Sequence, residues 1–166
     1  NTLRGVYGTD VLLATANSFT GSVLKADYNQ KMADSMIMPN SLMSRQRTMT
    51  GAELKELVRA YVEGCEGGFV PFNRGSLPIV SGIAVEVKEA SGSYTLTGIT
   101  RNGQPLRDDD TVTVTCLATE KQMEALLASG SGTSAGEDTW VKNTWRDHVS
   151  GGGTALAEPE NYMTLR

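Results

Sequence analysis

Hydrophobic residues recur along this chain with two different periods, and each period marks an element. Residues 10–16 are nearly continuous in apolar character through Val11, Leu12, Leu13 and Ala14. Such a run fits a strand covered on both faces. A polar loop containing Phe19 and Gly21 follows over 17–22, and a short helix is expected over 29–35, ending before Pro39. The clearest helix signal begins at Thr50. Thr50 and Glu53 have the spacing of a capping box, in which hydroxyl and carboxylate satisfy the first unpaired amides of a helix. Leu54, Leu57, Val58, Tyr61 and Val62 then share one helical face, and Gly64 is placed to end it.

The middle of the chain changes to a period of two. A strand is expected at Pro78-Ile79-Val80 with Ser81-Gly82, and Ile83, Val85 and Val87 alternate with polar or small residues. Tyr94 and Leu96 begin a second alternation that loses phase at Gly98-Ile99, the mark of a bulge. Arg101-Asn102-Gly103-Gln104 reads as a turn, and Thr111–Thr115 as a further strand with Cys116 in phase with Val112 and Val114. Thr119 with Gln122 predicts a cap for a helix carrying Met123, Leu126 and Leu127. The Gly/Ser-rich segment 129–138 is expected to be a mobile connection. A last helix over 139–149 would present Trp140, Val141 and Trp145, with Trp140 packed as core. Helices and strands interleave irregularly without an internal repeat, so the fold class is α+β with mixed sheets and packed helices. The whole of 1–166 is read as one domain.

Composition narrows the function classes. Hydrophobic residues make up 39% and charged residues 20% of 166, as in an ordinary globular domain. Fifteen basic against nineteen acidic residues give a net charge of −4 without a basic run, which disfavours nucleic acid and anionic membrane as partners. No apolar stretch is long enough to span a bilayer. The chain opens at Asn1 without Met, so a trimmed start is expected. Cys65 and Cys116 are expected as free thiols, with a Cys65–Cys116 disulfide as the other reading. One histidine, His148, and no Cys-x-x-Cys leave no basis for a zinc site.

Three segments taken in order go further: Thr50-Gly51-Ala52-Glu53-Leu54, Pro78-Ile79-Val80-Ser81-Gly82, and Asn102-Gly103-Gln104-Pro105-Leu106 leading into Thr111–Thr115. This succession resembles the C-terminal, substrate-recognising domain of the 5′-nucleotidase and 2′,3′-cyclic-nucleotide phosphodiesterase family. The resemblance covers roughly residues 9–120, with the opening helix absent or reduced to residues 1–7. It implies a metal-dependent phosphoester hydrolase acting on nucleotides, whose divalent metals sit in an N-terminal metallophosphoesterase domain of the same polypeptide. It also implies an exported, extracytoplasmic bacterial parent, secreted, periplasmic or at the cell surface. No cofactor and no catalytic residue are then expected within these 166 residues, and the chain alone is expected to be inactive.

The family's ligand-contacting positions are mostly altered. Its Asn and Arg after the first strand are Thr15 and Thr20, and its Pro-Phe-Gly-Asn is Pro39-Asn40-Ser41-Leu42. Gly136-Glu137-Asp138-Thr139-Trp140 echoes its Gly-Gly-Asp-Gly-Tyr. For a nucleotide or nucleoside ligand the candidate contacts are Phe19, Asn40, Phe72, Arg74, Asp138 and Trp140. Phe69, Phe72 and Arg74 share a loop in which aromatic faces and a guanidinium could stack a base and hold a phosphate. Arg45 and Arg47 read as a solvated strand edge or an anion contact. Asp108-Asp109-Asp110 reads as a charged turn, calcium being the less favoured alternative. His148 is expected to meet helix-end carbonyls. A binding or structural module that keeps the fold without its pocket stands as the alternative function.

Overall fold

A computed structural model of the chain describes residues 2–14, 42–63, 79–91, 93–119, 124, 132–152 and 163–165. Two sheets and three helices are built from them. Helix α1 (Thr2–Tyr7) leads into strand β1 (Val11–Ala14), which pairs in parallel with β7 (Thr111–Thr119) and antiparallel with β3 (Ile79–Ser81). β7 pairs antiparallel with β2 (Leu42–Thr50) along its full length. Two short strands, β8 (Thr133–Ser134) and β9 (Thr139–Trp140), then add to the other side of β2. The second sheet runs β10-β4-β5-β6, from β4 (Ala84–Ala90), β5 (Ser93–Arg101), β6 (Gln104–Pro105) and β10 (Met163–Leu165).

Strand parity decides which core each residue enters. Val11 and Leu13 join Val112, Val114 and Cys116 in a cluster with helix α2 (Gly51–Glu63) and with Val85, Val87 and Ile99 of the second sheet. Leu12, Ala14, Leu42 and Leu117 face the other way, toward Leu3 of α1 and Val141 and Trp145 of helix α3 (Val141–Ser150). The larger sheet is thus buried on both sides, and all four residues of β1 are buried as their unbroken apolar run requires. Leu54, Leu57, Val58, Tyr61 and Val62, the apolar face of α2, are fully buried. Its cap is closed both ways: Glu53 N–H donates to Thr50 Oγ1 (3.2 Å), and Thr50 N–H donates to Glu53 Oε2 (2.8 Å).

Two of the sequence's punctuation marks have geometric reasons. The run 78–87 splits at Gly82 (φ 88°), so that β3 enters one sheet and β4 the other. The β4–β5 register slips by one residue at Thr97, between Gly98 opposite Glu86 and Leu96 opposite Val87, which is the expected bulge. Asn102 and Gly103 both have positive φ (52° and 76°), as a tight hairpin turn demands.

Asp10 ties these layers together. Its carboxylate accepts from the Thr113 amide and hydroxyl (both 2.9 Å) and from Arg101 (2.5 Å), while Arg4 donates to its backbone carbonyl (3.1 Å). The order of pairing therefore joins α1, β7 and the end of β5 at one residue.

Within the segment 129–138, Gly132 N–H donates to Glu53 Oε1 (3.2 Å), and β8 pairs with Arg47 and Thr48. Three expectations need correction. Helix α3 begins at Val141, because Thr139 and Trp140 are drawn into β9 by pairing with Ser44 and Met43. Arg45 and Arg47 lie on an interior strand between β7 and β8/β9, and both are half-buried. His148 makes no hydrogen bond through its buried Nε2; its ring packs against Trp145 with centroids 5.7 Å apart. Thr119 closes β7, and of the helix expected after it only Glu124 lies among the described residues, where it is helical. The short helix over 29–35 and Cys65 lie outside them.

Candidate functional site

The described candidates converge at the outer side of β2. Directly opposed residues of an antiparallel pair share a face. Met43 opposes Trp140 and Ser44 opposes Thr139, so Trp140 and Asp138 project from the same side of the sheet as Met43, Arg45, Arg47 and Met49. Met49 belongs to the core around α2, which places this face on the α2 side.

Arg45 clasps Asp138 with a forked contact. Its Nε donates to Oδ1 (3.0 Å) and Oδ2 (2.8 Å), and its Nη2 also binds Oδ2. Planar guanidinium and carboxylate edges match in this geometry, so Asp138 is held in orientation as well as in charge. On the opposite face the buried Ser44 hydroxyl lies 2.7 Å from Thr139 Oγ1, which in turn lies 3.2 Å from Thr144 Oγ1. This hydroxyl chain anchors β9 where α3 starts without a side-chain cap.

Trp140 emerges from that anchored strand 47% exposed, whereas Trp145 is 4% exposed. The expectation that Trp140 packs as core is therefore overturned. Residue 141 takes the buried position, and the one-residue step to Trp140 turns its side chain to the opposite face. A large indole left open beside a fixed carboxylate can stack a planar ring while the carboxylate accepts from hydroxyls.

Of the other candidates, Phe19, Asn40, Phe72 and Arg74 lie outside the described residues, as does Phe69. Leu42, at the position of a family Asn, is buried in the core beneath α3. Asp108 pairs with Lys55 (2.7 Å), Asp109 with Arg107 (2.6 Å), and Asp110 accepts from the Arg107 amide (2.9 Å), so the acidic triplet is a charged turn. Among the described residues no group of His, Cys, Asp and Glu could hold a metal ion. These residues do not fit the two-metal centre that the resemblance implies for its parent enzyme. Cys116 is a free, buried thiol pushed up to about 12 by burial, against the opposing influence of the Tyr61 hydroxyl and the Arg47 and Arg45 charges. It is unsuited to nucleophilic work.

One feature that residue patterns missed is the Arg45–Asp138 pair. Its partners lie 93 positions apart. A shallow groove of about 280 Å³ elsewhere, between α2 and β5, is lined by Lys55, Arg59, Leu96, Thr97 and Leu106 and contains none of the candidates.

No protein-family model matches the chain. No curated protein matches it either. Solved structures do. A putative 5′-nucleotidase from Staphylococcus aureus in complex with alpha-ketoglutarate superposes with a TM-score of 0.65 at 14% identity, over 99% of this chain and 34% of its own. The sulfate thiohydrolase SoxB of Thermus thermophilus gives 0.64 at 12%, over 99% and 30%. The NAD nucleotidase of Haemophilus influenzae gives 0.61 at 14%, over 97% and 31%. The chain has the fold of the 5′-nucleotidase C-terminal domain, and it spans about a third of the length of the proteins it matches.

Proposed function

We propose that this chain is the substrate-recognition domain of a metal-dependent phosphoester hydrolase acting on nucleotides. The divalent metals and the hydrolytic chemistry belong, in this reading, to an N-terminal metallophosphoesterase domain outside these 166 residues. The observation that carries the reading is coverage: nearly all of this chain superposes on about a third of each of several hydrolases, two of them named for nucleotides.

Trp140 supplies a stacking face for the base, and Asp138, fixed by Arg45, accepts from a ribose hydroxyl. A carboxylate has about four acceptor positions, so the clasp of Arg45 leaves capacity for a ligand. Phe19, Asn40, Phe72 and Arg74 are proposed to complete the contact from their loops. In this reading the chain by itself binds the nucleotide and the hydrolysis is left to the other domain. The parent enzyme is proposed to work outside the cytoplasm. Among the described residues no helix is long and apolar enough to cross a membrane.

A thermal-shift and calorimetric titration of the chain with AMP, adenosine and a cyclic nucleotide tests the proposal. Ligand that binds only the folded state raises the Tm by mass action. A saturable rise that Trp140→Ala or Phe72→Ala abolishes is the expected result. No rise for any of the three, with the same Trp140→Ala baseline, would overturn recognition by this domain.

A second reading is a non-catalytic binding or packing module. The burial of Leu42, where the family carries a polar contact, favours it. The gene upstream of Asn1 separates the two: Asp-x-His and Asn-His-Glu/Asp motifs there support the enzyme, and their absence supports the module.

A further inference from the structure

Arg47 differs from every other arginine on its strand face in one respect. Arg45, two residues away on the same face, has its charge cancelled by Asp138. The Arg47 Nε is buried and has no hydrogen-bond partner, and among the described residues its side chain makes no ion pair. Its surroundings make this costly. Across β7 it opposes Val114, fully buried, and along its own strand the next residue on the face is the buried Met49. On the outer side it opposes Ser134 of β8, which is exposed. A guanidinium with a desolvated N–H over an apolar floor and a route to solvent on one side is set up to accept a counter-charge.

From this we infer that Arg47 is an oxyanion-binding site, taking an acidic group of a ligand (phosphate, sulfate or carboxylate) at the outer edge of the larger sheet. The net charge of the face is what selects the ligand class. Among the described residues of this face, Arg45 with Asp138 sums to zero and Arg47 contributes one uncancelled positive charge. A planar N–H fork meets two oxygens of such a group edge-on, and the weakly polar floor strengthens the pairing relative to water. The guanidinium lies close enough to the core for its charge, with that of Arg45, to act on the Cys116 thiol, consistent with a head group held over the sheet and not extended into solvent. The inference stands apart from the nucleotide reading, since it requires an anion and no base.

Arginine-selective NMR of the 166-residue chain supplies the test, following the Nε–H resonance of Arg47 during titration with inorganic phosphate, then sulfate, then acetate, each against sodium chloride of matched ionic strength. The expected result is a saturable shift confined to Arg47. Arg47→Gln should weaken phosphate binding roughly ten- to hundredfold, as expected when a hydrogen bond to a charged group is lost. Comparing AMP with adenosine then tells a ligand-borne phosphate from the free ion: only the former makes AMP the tighter ligand in an Arg47-dependent way. An Arg47 resonance that does not move, or that moves in step with the other arginines, overturns the site even if Arg47→Gln fails to fold. If adenosine binds and Arg47 stays silent, recognition of nucleosides survives and the oxyanion site does not.

Discussion

Gly51 sits against the carbonyl oxygen of Arg107 so closely that a Cβ on Gly51 would overlap it. The contact is backbone to backbone, and it is reinforced by Gly51 N–H donating to Asp110 O (2.7 Å) and Ala52 N–H to Asp108 O (3.1 Å). The start of α2 is thereby fixed to the turn that precedes β7. Neither partner can yield as a flexible side-chain tip could. Gly51→Ala is expected to destabilise the domain by about 3 kcal/mol or more. Urea unfolding of the variant reads this directly, and a change below 1 kcal/mol, on the scale of ordinary surface substitutions, would show that the close approach relaxes freely.

Glu53 serves two elements and Thr50 one. Thr50→Ala removes a cap hydroxyl and should cost about 1 kcal/mol. Glu53→Ala removes the reciprocal bond to Thr50 and also the acceptor for the Gly132 amide. Hydrogen exchange at residues 132–134 should therefore accelerate in Glu53→Ala and stay near wild type in Thr50→Ala. Equal exchange in the two variants would mean that β8 is held by its pairing with β2 alone.

Burial raises the pKa of Asp10, but the Thr113 amide and hydroxyl and the Arg101 and Arg4 charges outweigh it and hold the carboxyl below its ordinary range. A carboxylate depressed in the folded state contributes stability above its unfolded pKa and loses it as pH falls through the folded one. The stability gap between wild type and Asp10→Asn should be constant above about pH 5, given an unperturbed aspartate pKa near 3.9, and shrink on acidification below it. A gap that widens toward acid would contradict the network.

The two tryptophans report separately on the two faces of the larger sheet. Trp140 should be quenched by acrylamide and Trp145 should not, so Trp140→Phe leaves a blue-shifted, protected emission with nearly unchanged stability. Trp145→Ala, which empties the core between α1 and α3, should cost about 3–5 kcal/mol. Protected emission from Trp140 in the isolated chain would place it under cover and remove it as a stacking face.

Local signals read true where partners are close in sequence. The capping box, the buried face of α2, the Asn102-Gly103 turn and the bulge at Thr97 all depend on residues within a few positions of one another. What pattern could not show was sheet membership. Ile79 to Val87 looks like one β region, yet Gly82 sends its halves to different sheets because only glycine fits beside the Asp10 carbonyl with φ at 88°. The same limit applied at the candidate site. Trp140 and Trp145 look alike as apolar residues of one expected helix over 139–149, and only the pairing of Trp140 with Met43 exposes one and not the other. Arg45 could be given its partner only by the register that brings Asp138 across the sheet.

The placement of β1 carries a consequence for how the chain comes together. Its parallel neighbour is β7, and the Asp10–Thr113 bonds beside it span 103 positions. Closing a loop of that length costs entropy before any contact repays it, and parallel pairing of distant strands forms slowly. During synthesis β1 therefore emerges long before the strand beside which it must lie, as a short apolar segment without its partner. Assembly of the larger sheet waits for the residues around 111–119, and the hairpin of β4 and β5, closed by a short turn, has the shorter path to its own pairing.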